Sequence, residues 1–260
     1  MVFRETEMPT ALIVEDEPEA NKLLGMLLKL RGYQSTAAFS GAEALSYLKD
    51  NTPDVVFLDL MLPDLNGYEV CRAIKASRTD CLTPVVIVTA RVATESRIES
   101  FRAGADDFVS KPYTPDQIFL ALKQAEDFRG RTGRPVIEDV APLAELDDGE
   151  TLRKLAQLHN LVLGRTPLGA DAVERMNRAI EGVRATIDRW ATDRPCSESA
   201  TLRYELTPTQ LALVIGGQLD WLDEERSGGA EAVLDAARDG FDEVFLDRDQ
   251  TRLTLIKTWA

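Results

Sequence analysis

Asp54-Val55-Val56-Phe57-Leu58-Asp59, running into Leu60-Met61-Leu62-Pro63-Asp64-Leu65-Asn66-Gly67, decides the fold. The apolar run between the two aspartates is β-branched and aromatic and reads as a strand with no wet face, and the Pro, Asn and Gly behind it read as a turn. A carboxylate released at the end of such a strand is placed for chemistry rather than for packing. Neighbouring apolar runs end in the same way. Glu15-Asp16 follows Ala11-Leu12-Ile13-Val14, Thr89 follows Val85-Val86-Ile87-Val88, and Lys111 follows Phe108-Val109-Ser110.

Outward from this stretch, the first half alternates strand and helix. Strands are expected near 11–15, 33–39, 54–59, 84–89 and 106–110, with amphipathic helices near 18–30, 41–49, 66–76, 94–103 and 115–127. Alternation with short connections predicts an α/β fold, a doubly wound five-stranded parallel sheet in the flavodoxin-like order 2-1-3-4-5. Ligands of such sheets sit outside the carboxyl ends of the strands, so Asp16, Asp59, Thr89 and Lys111 are expected to converge on one edge.

The chemistry of that edge is constrained. Carboxylates crowded together raise one another's pKa unless a cation shares the site. A hard divalent ion suits them, and Mg²⁺, which keeps waters and accepts a phosphate oxygen, fits phosphoryl transfer. Asp59 is then the nucleophile toward phosphorus, and Lys111 and Thr89 bind the phosphoryl oxygens.

Leu12-Ile-Val-Glu-Asp-Glu-Pro18, Phe57-Leu-Asp-Leu-Met-Leu-Pro-Asp-Leu-Asn-Gly67, Val88-Thr-Ala90 and Gly104-Ala-Asp-Asp-Phe-Val-Ser-Lys-Pro112 occur in this order. With them, residues 9–127 resemble the receiver domain of two-component response regulators. The resemblance implies that Asp59 is the phosphoacceptor, that Glu15, Asp16, Asp59 and the Met61 backbone carbonyl hold Mg²⁺, and that Thr89 and Lys111 read the phosphoryl group. It makes Thr89 and Phe108 the switch residues and puts a cis peptide at Lys111-Pro112. The implied phosphodonor is a cognate sensor histidine kinase or a phosphotransfer protein. The face made by the helix near 94–103, the strand near 106–110 and the helix near 115–127 is the expected two-state surface, with room for a homodimer.

Composition sets the class. The chain has 260 residues, room for two domains, and a formal net charge of −14. No apolar stretch reaches membrane-spanning length and the first residues lack a signal-peptide core, so a cytoplasmic protein without membrane contact is expected. Cys71, Cys81 and Cys196 are scattered, which points to reduced thiols.

Residues 128–149 mix Gly, Pro and charge and read as a linker, with room for a short strand at 136–140. Beyond them, helices are expected near 150–163, 169–191 and 229–238, and hairpins from 202–206 with 211–215 and from 243–246 with 252–256. Residues 150–260 therefore form a second domain, an α+β two-layer sandwich. Residues 130–260 hold 16 Lys/Arg against 24 Asp/Glu. Nucleic-acid binding needs a basic face, so none is expected here.

Ala172-Val-Glu-Arg-Met-Asn-Arg-Ala-Ile-Glu-Gly-Val-Arg184, Gly240-Phe-Asp-Glu-Val-Phe-Leu246 and Thr251-Arg-Leu-Thr-Leu-Ile-Lys257 give residues 135–260 a resemblance to a small GHKL-type ATPase domain of the anti-sigma-factor serine kinase kind. The family's Glu-x-x-x-Asn falls on Arg178 and Gly182, and Val214-Ile-Gly-Gly-Gln-Leu-Asp220 stands where Asp-x-Gly-x-Gly belongs. The reading is a noncatalytic output domain that binds a downstream protein. An ATP-using serine kinase and a DNA-binding transcriptional regulator are the alternatives. His159, the single histidine, raises a phosphorelay role, against which stand the hairpins that replace a four-helix bundle.

Overall fold

The computed structural model describes residues 8–91, 93–142, 149–191, 201–217, 229–247 and 252–260. Two compact units divide between Gly133 and Arg134.

The first unit runs β1 (Thr10–Val14), α1 (Pro18–Leu30), β2 (Gln34–Ala38), α2 (Gly41–Leu48), β3 (Val55–Leu58), α3 (Gly67–Ala76), β4 (Val85–Thr89), α4 (Thr94–Arg102), β5 (Asp107–Ser110) and α5 (Pro115–Thr132). Its five parallel strands lie in the order β2-β1-β3-β4-β5, as the alternation predicts. All residues of β3 and β4 are buried, because both faces of the sheet are covered. Leu12, Val14, Val56, Leu58 and Ile87 meet Ala44, Val70 and Ile74 on one face. On the other, Ile13, Phe57, Val86 and Val88 meet Leu24, Leu28, Ile118 and Leu122. Each fully buried aliphatic side chain of this kind contributes about 1.5–3 kcal/mol.

Local chemistry starts the helices where the sequence places them. Asn66 accepts from the Tyr68 N–H at the start of α3, and Thr114 with Gln117 forms a capping box ahead of Pro115. Helix α5 continues to Thr132, past the expected end at 127, because Phe128 is fully buried and keeps the helix packed for another turn.

The second unit holds β6 (Ile137–Pro142), α6 (Glu150–Arg165), α7 (Ala170–Ala191), β7 (Thr201–Leu206), β8 (Gln210–Gly216), α8 (Gly229–Arg238), β9 (Glu243–Asp247) and β10 (Arg252–Thr258). It is an α+β region on an antiparallel sheet of order β6-β7-β8-β10-β9. The expected linker at 128–149 needs correction. It contains the last turn of α5 and all of β6, which pairs with β7 from Ile137 opposite Leu206 to Pro142 opposite Thr201. Ile137 and Ala141 are buried and Asp139 between them pairs with Lys154 of α6, so the short strand expected at 136–140 belongs to the sheet of the second unit. Gly240 sets the approach of the turn after α8, since a Cβ there would stand 2.7 Å from Ala179 Cβ and 2.9 Å from Met176 Cα.

Candidate functional site

The carboxyl ends of β1, β3, β4 and β5 bring Glu15, Asp59, Thr89 and Lys111 to one edge of the parallel sheet. Glu15 and Asp59 lie one residue past their strands. The Asp59 N–H donates to Val14 O at 2.9 Å and the Glu15 N–H to Ala38 O at 3.0 Å, so neighbouring strands fix both backbones. Both side chains are buried, at 5% and 6% exposure. Their carboxylates meet on one atom, Lys111 Nζ, which donates to Asp59 Oδ2 at 2.5 Å and to Glu15 Oε2. Asp59 Oδ1 accepts from the Met61 N–H at 3.1 Å.

Electrostatics follow from this burial. Desolvation raises the Glu15 carboxyl above its ordinary value, against the lowering effect of the Lys111 bond. Burial alone would lower Lys111, but its hydrogen bonds to Asp59 and Glu15 outweigh that and raise it. The ammonium therefore stays charged and is shared by the two acids, balancing one carboxylate charge of the pair.

The other expected residues are placed differently. Thr89 is fully buried at the end of β4. Its Oγ1 accepts from the Arg91 N–H at 3.4 Å, and its carbonyl accepts from the Lys111 N–H at 2.7 Å. Asp16 is exposed beside Glu15. Among the described residues no group of three or more acidic, histidine or cysteine side chains converges as a metal site. Of the expected acids, Glu15 and Asp59 meet on Lys111, and Asp16 is exposed next to Glu15 in the chain. Met61 is exposed and its backbone bridges Asn66 across the turn. Phe108 is partly buried against the core on the α2 and α3 face. Lys111-Pro112 is cis.

Three supporting features escaped sequence reasoning. A Cβ at Gly67 would lie 2.3 Å from Asp59 O and 2.6 Å from Leu60 Cα, so only glycine lets α3 start directly against the Asp59 backbone. Asp64 accepts from the Gly41 N–H at 2.9 Å and the Ala42 N–H at 2.8 Å, tying the turn after Asp59 to α2. Those bonds hold its carboxyl below the usual value. Lys75, buried in α3, donates to Asp106 Oδ2 at 2.6 Å, Thr83 O at 2.7 Å and Cys81 O at 3.0 Å. A lysine closing the apolar stripe Val70-Cys71-Ile74 was the signal available for that last feature.

Comparison with known proteins decides the family. The response regulator receiver domain matches residues 11–123. The transcriptional regulatory protein KdpE of Mycobacterium tuberculosis is 33% identical over 155 residues, 58% of this chain and 67% of KdpE. The chain belongs to the response regulators. The DNA-binding response regulator MtrA of Mycolicibacterium smegmatis is 35% identical over 112 residues, covering 43% of this chain and 48% of MtrA. The chain thus spans about half of that relative. A response regulator of known structure from Chloroflexus aurantiacus is 31% identical, covering 46% of this chain and 98% of its own, with a TM-score of 0.45.

The second unit gives the remaining expectations a place. His159 Nδ1 pairs with Asn177 Nδ2 across α6 and α7. Arg178 is exposed on α7, and a Cβ at Gly182 would stand 3.2 Å from Ala236 Cβ in α8. Trp259 Nε1 donates to Pro208 O at 2.7 Å. Trp221, Cys196 and the acidic run 220–225 lie outside the described residues, as does the Trp190 side chain. No helix of the described residues is long and apolar enough to cross a membrane.

Proposed function

We propose that this response regulator takes a phosphoryl group on Asp59 from a sensor histidine kinase or phosphotransfer protein and signals through protein contacts of its second unit. The observation that carries the reading is the shared ammonium: Glu15 and Asp59 are buried together on Lys111 at the end of a parallel sheet. An Asp59 oxygen attacks phosphorus, the bond from phosphorus to the donor nitrogen breaks, and the donor keeps the electron pair. Lys111 then exchanges a carboxylate oxygen for a phosphoryl oxygen, a charge-assisted bond. Thr89 supplies a hydroxyl next to it. The donor set fits Mg²⁺, since Glu15, Asp16, Asp59 and the Met61 carbonyl are all hard oxygen ligands and the buried acid pair requires a cation. Mg²⁺ bound there would neutralise charge on the transferring group. Added charge at Asp59 would bias Thr89, Phe108 and the face of α4, β5 and α5 between two states.

For the output, the order of elements is similar to a degenerate GHKL-type domain, and the positions that would carry metal and adenine ligands support a noncatalytic role. Exposed Arg178 and Gly182, packed under α8, offer neither. The fold likeness to anti-sigma-factor kinases makes a protein partner the natural target, by analogy. The names of KdpE and MtrA favour a second reading, DNA binding, against which the acidic balance of residues 130–260 weighs.

The test is labelling of the full chain by a small phosphodonor such as acetyl phosphate. Labelling is expected only with Mg²⁺ and is lost in Asp59→Asn. Labelling of that variant at the wild-type level refutes the assignment.

A further inference from the structure

The antiparallel sheet of the second unit buries one face only. Leu202, Tyr204, Leu206, Leu211, Leu213, Ile215, Leu253 and Leu255 are buried, and the alternate residues of the same strands share the opposite face. On that open face one register row runs Val140, Arg203, Val214, Thr254, Phe245, and the next runs Glu138, Glu205, Ala212, Ile256, Glu243. Val140 is 42% and Phe245 54% exposed, with Val214, Ala212 and Ile256 half-buried between them. The face is thus apolar at its centre and acidic along one side.

Glu138 stands directly opposite Glu205 on the neighbouring strand, a like-charged pair that destabilises a sheet. Among the described residues neither these two nor Glu243 makes an ion pair, although Arg203 and Arg252 lie on the same face, Arg252 opposite Asp247. Exposed Phe245 in an edge strand and an uncompensated row of acids are both unfavourable for a surface meant only for water.

We propose that this open sheet face is a docking surface for a protein segment whose apolar side chains are flanked by lysine or arginine. Apolar residues of the partner cover Val140, Val214, Ile256 and Phe245, its cations relieve the repulsion between Glu138 and Glu205, and a further cation meets Glu243 at the far edge. Against a second copy stands the formal net charge of −14 that each chain would bring to the contact. The proposal rests on the protein-contact reading of the second unit and names the surface and the chemistry of its partner.

The full chain is titrated with two synthetic helical peptides that share a leucine face and differ in flanking residues, lysine in one and glutamate in the other. The lysine peptide should bind, more weakly as salt rises, and the glutamate peptide should not. Phe245→Ser should weaken binding about tenfold, as truncation of an aromatic anchor does. Glu138→Gln with Glu205→Gln should weaken it by a similar factor while leaving most of the net charge of −14 in place, so general attraction to an acidic protein would not be lost. Hydrogen exchange should show protection on β6 to β10. Unchanged affinity in both variants overturns the proposal, as does self-association that Phe245→Ser abolishes. Protection confined to α6, α7 and α8 overturns the face but leaves the protein-contact reading standing. Saturable binding of ATP by the same preparation removes that reading itself.

Discussion

Asp59 is held by its neighbours on three sides, with Val14 fixing its backbone, Met61 bonding one oxygen and Lys111 the other. The residue types at the four strand ends were legible in the sequence, because parallel topology delivers those ends to one edge. What they bond was not, since Lys111 spans both Glu15 and Asp59 while Asp16 is exposed, and sequence spacing carries no side-chain partners. Met61 bears on lifetime. Hydrolysis of the acyl phosphate needs an aligned water, and the exposed thioether two residues past Asp59 cannot orient one. Met61→Asn should speed loss of the phosphoryl group about fivefold, the value of roughly 1 kcal/mol from one hydrogen bond. Decay of the isolated phosphoprotein measures it, and equal or slower loss contradicts the account.

At the scale of the element, the turn from β3 to α3 and the packing of α3 position the site. The Pro, Asn and Gly of that turn announce it, yet the close approach of Gly67 to Asp59 O is visible only in the fold. Gly67→Ala should destabilise by about 1–3 kcal/mol, as overpacking against backbone does. It should also slow labelling of Asp59, because the added methyl pushes on the peptide that carries the nucleophile; denaturant midpoints and labelling rates check the two effects. Lys75→Met removes the partner of buried Asp106 and should cost about 3–5 kcal/mol in the same unfolding measurement, since a lone charge is left in the interior. A loss below about 1 kcal/mol would contradict that role for the Lys75–Asp106 pair. The boundary of α5 and the pairing of β6 were the least legible features, because Gly, Pro and charge in 128–149 mask a buried Phe128, and Asp139 interrupts the inward face between Ile137 and Ala141.

For the whole molecule, the parallel order of the first sheet could be read from alternation, whereas the antiparallel order β6-β7-β8-β10-β9 could not. Local hairpin signals say which strands are consecutive, but β10 rather than β9 inserts beside β8, a choice made by tertiary packing. The second unit accordingly yields its fold more readily than its role. Calorimetric titration of the full chain with ATP and Mg²⁺ should show no saturable binding in the micromolar range, because Arg178 and Gly182 offer no metal ligand; such binding would promote a kinase output. The central claim is that Asp59 is the phosphoacceptor. Borohydride reduction of the chain phosphorylated with Mg²⁺ converts an acyl phosphate to an alcohol, so peptide mapping reads the site directly. Homoserine at position 59 is the predicted result, and homoserine at another aspartate, or acid-labile, alkali-stable phosphate on His159, would contradict the account.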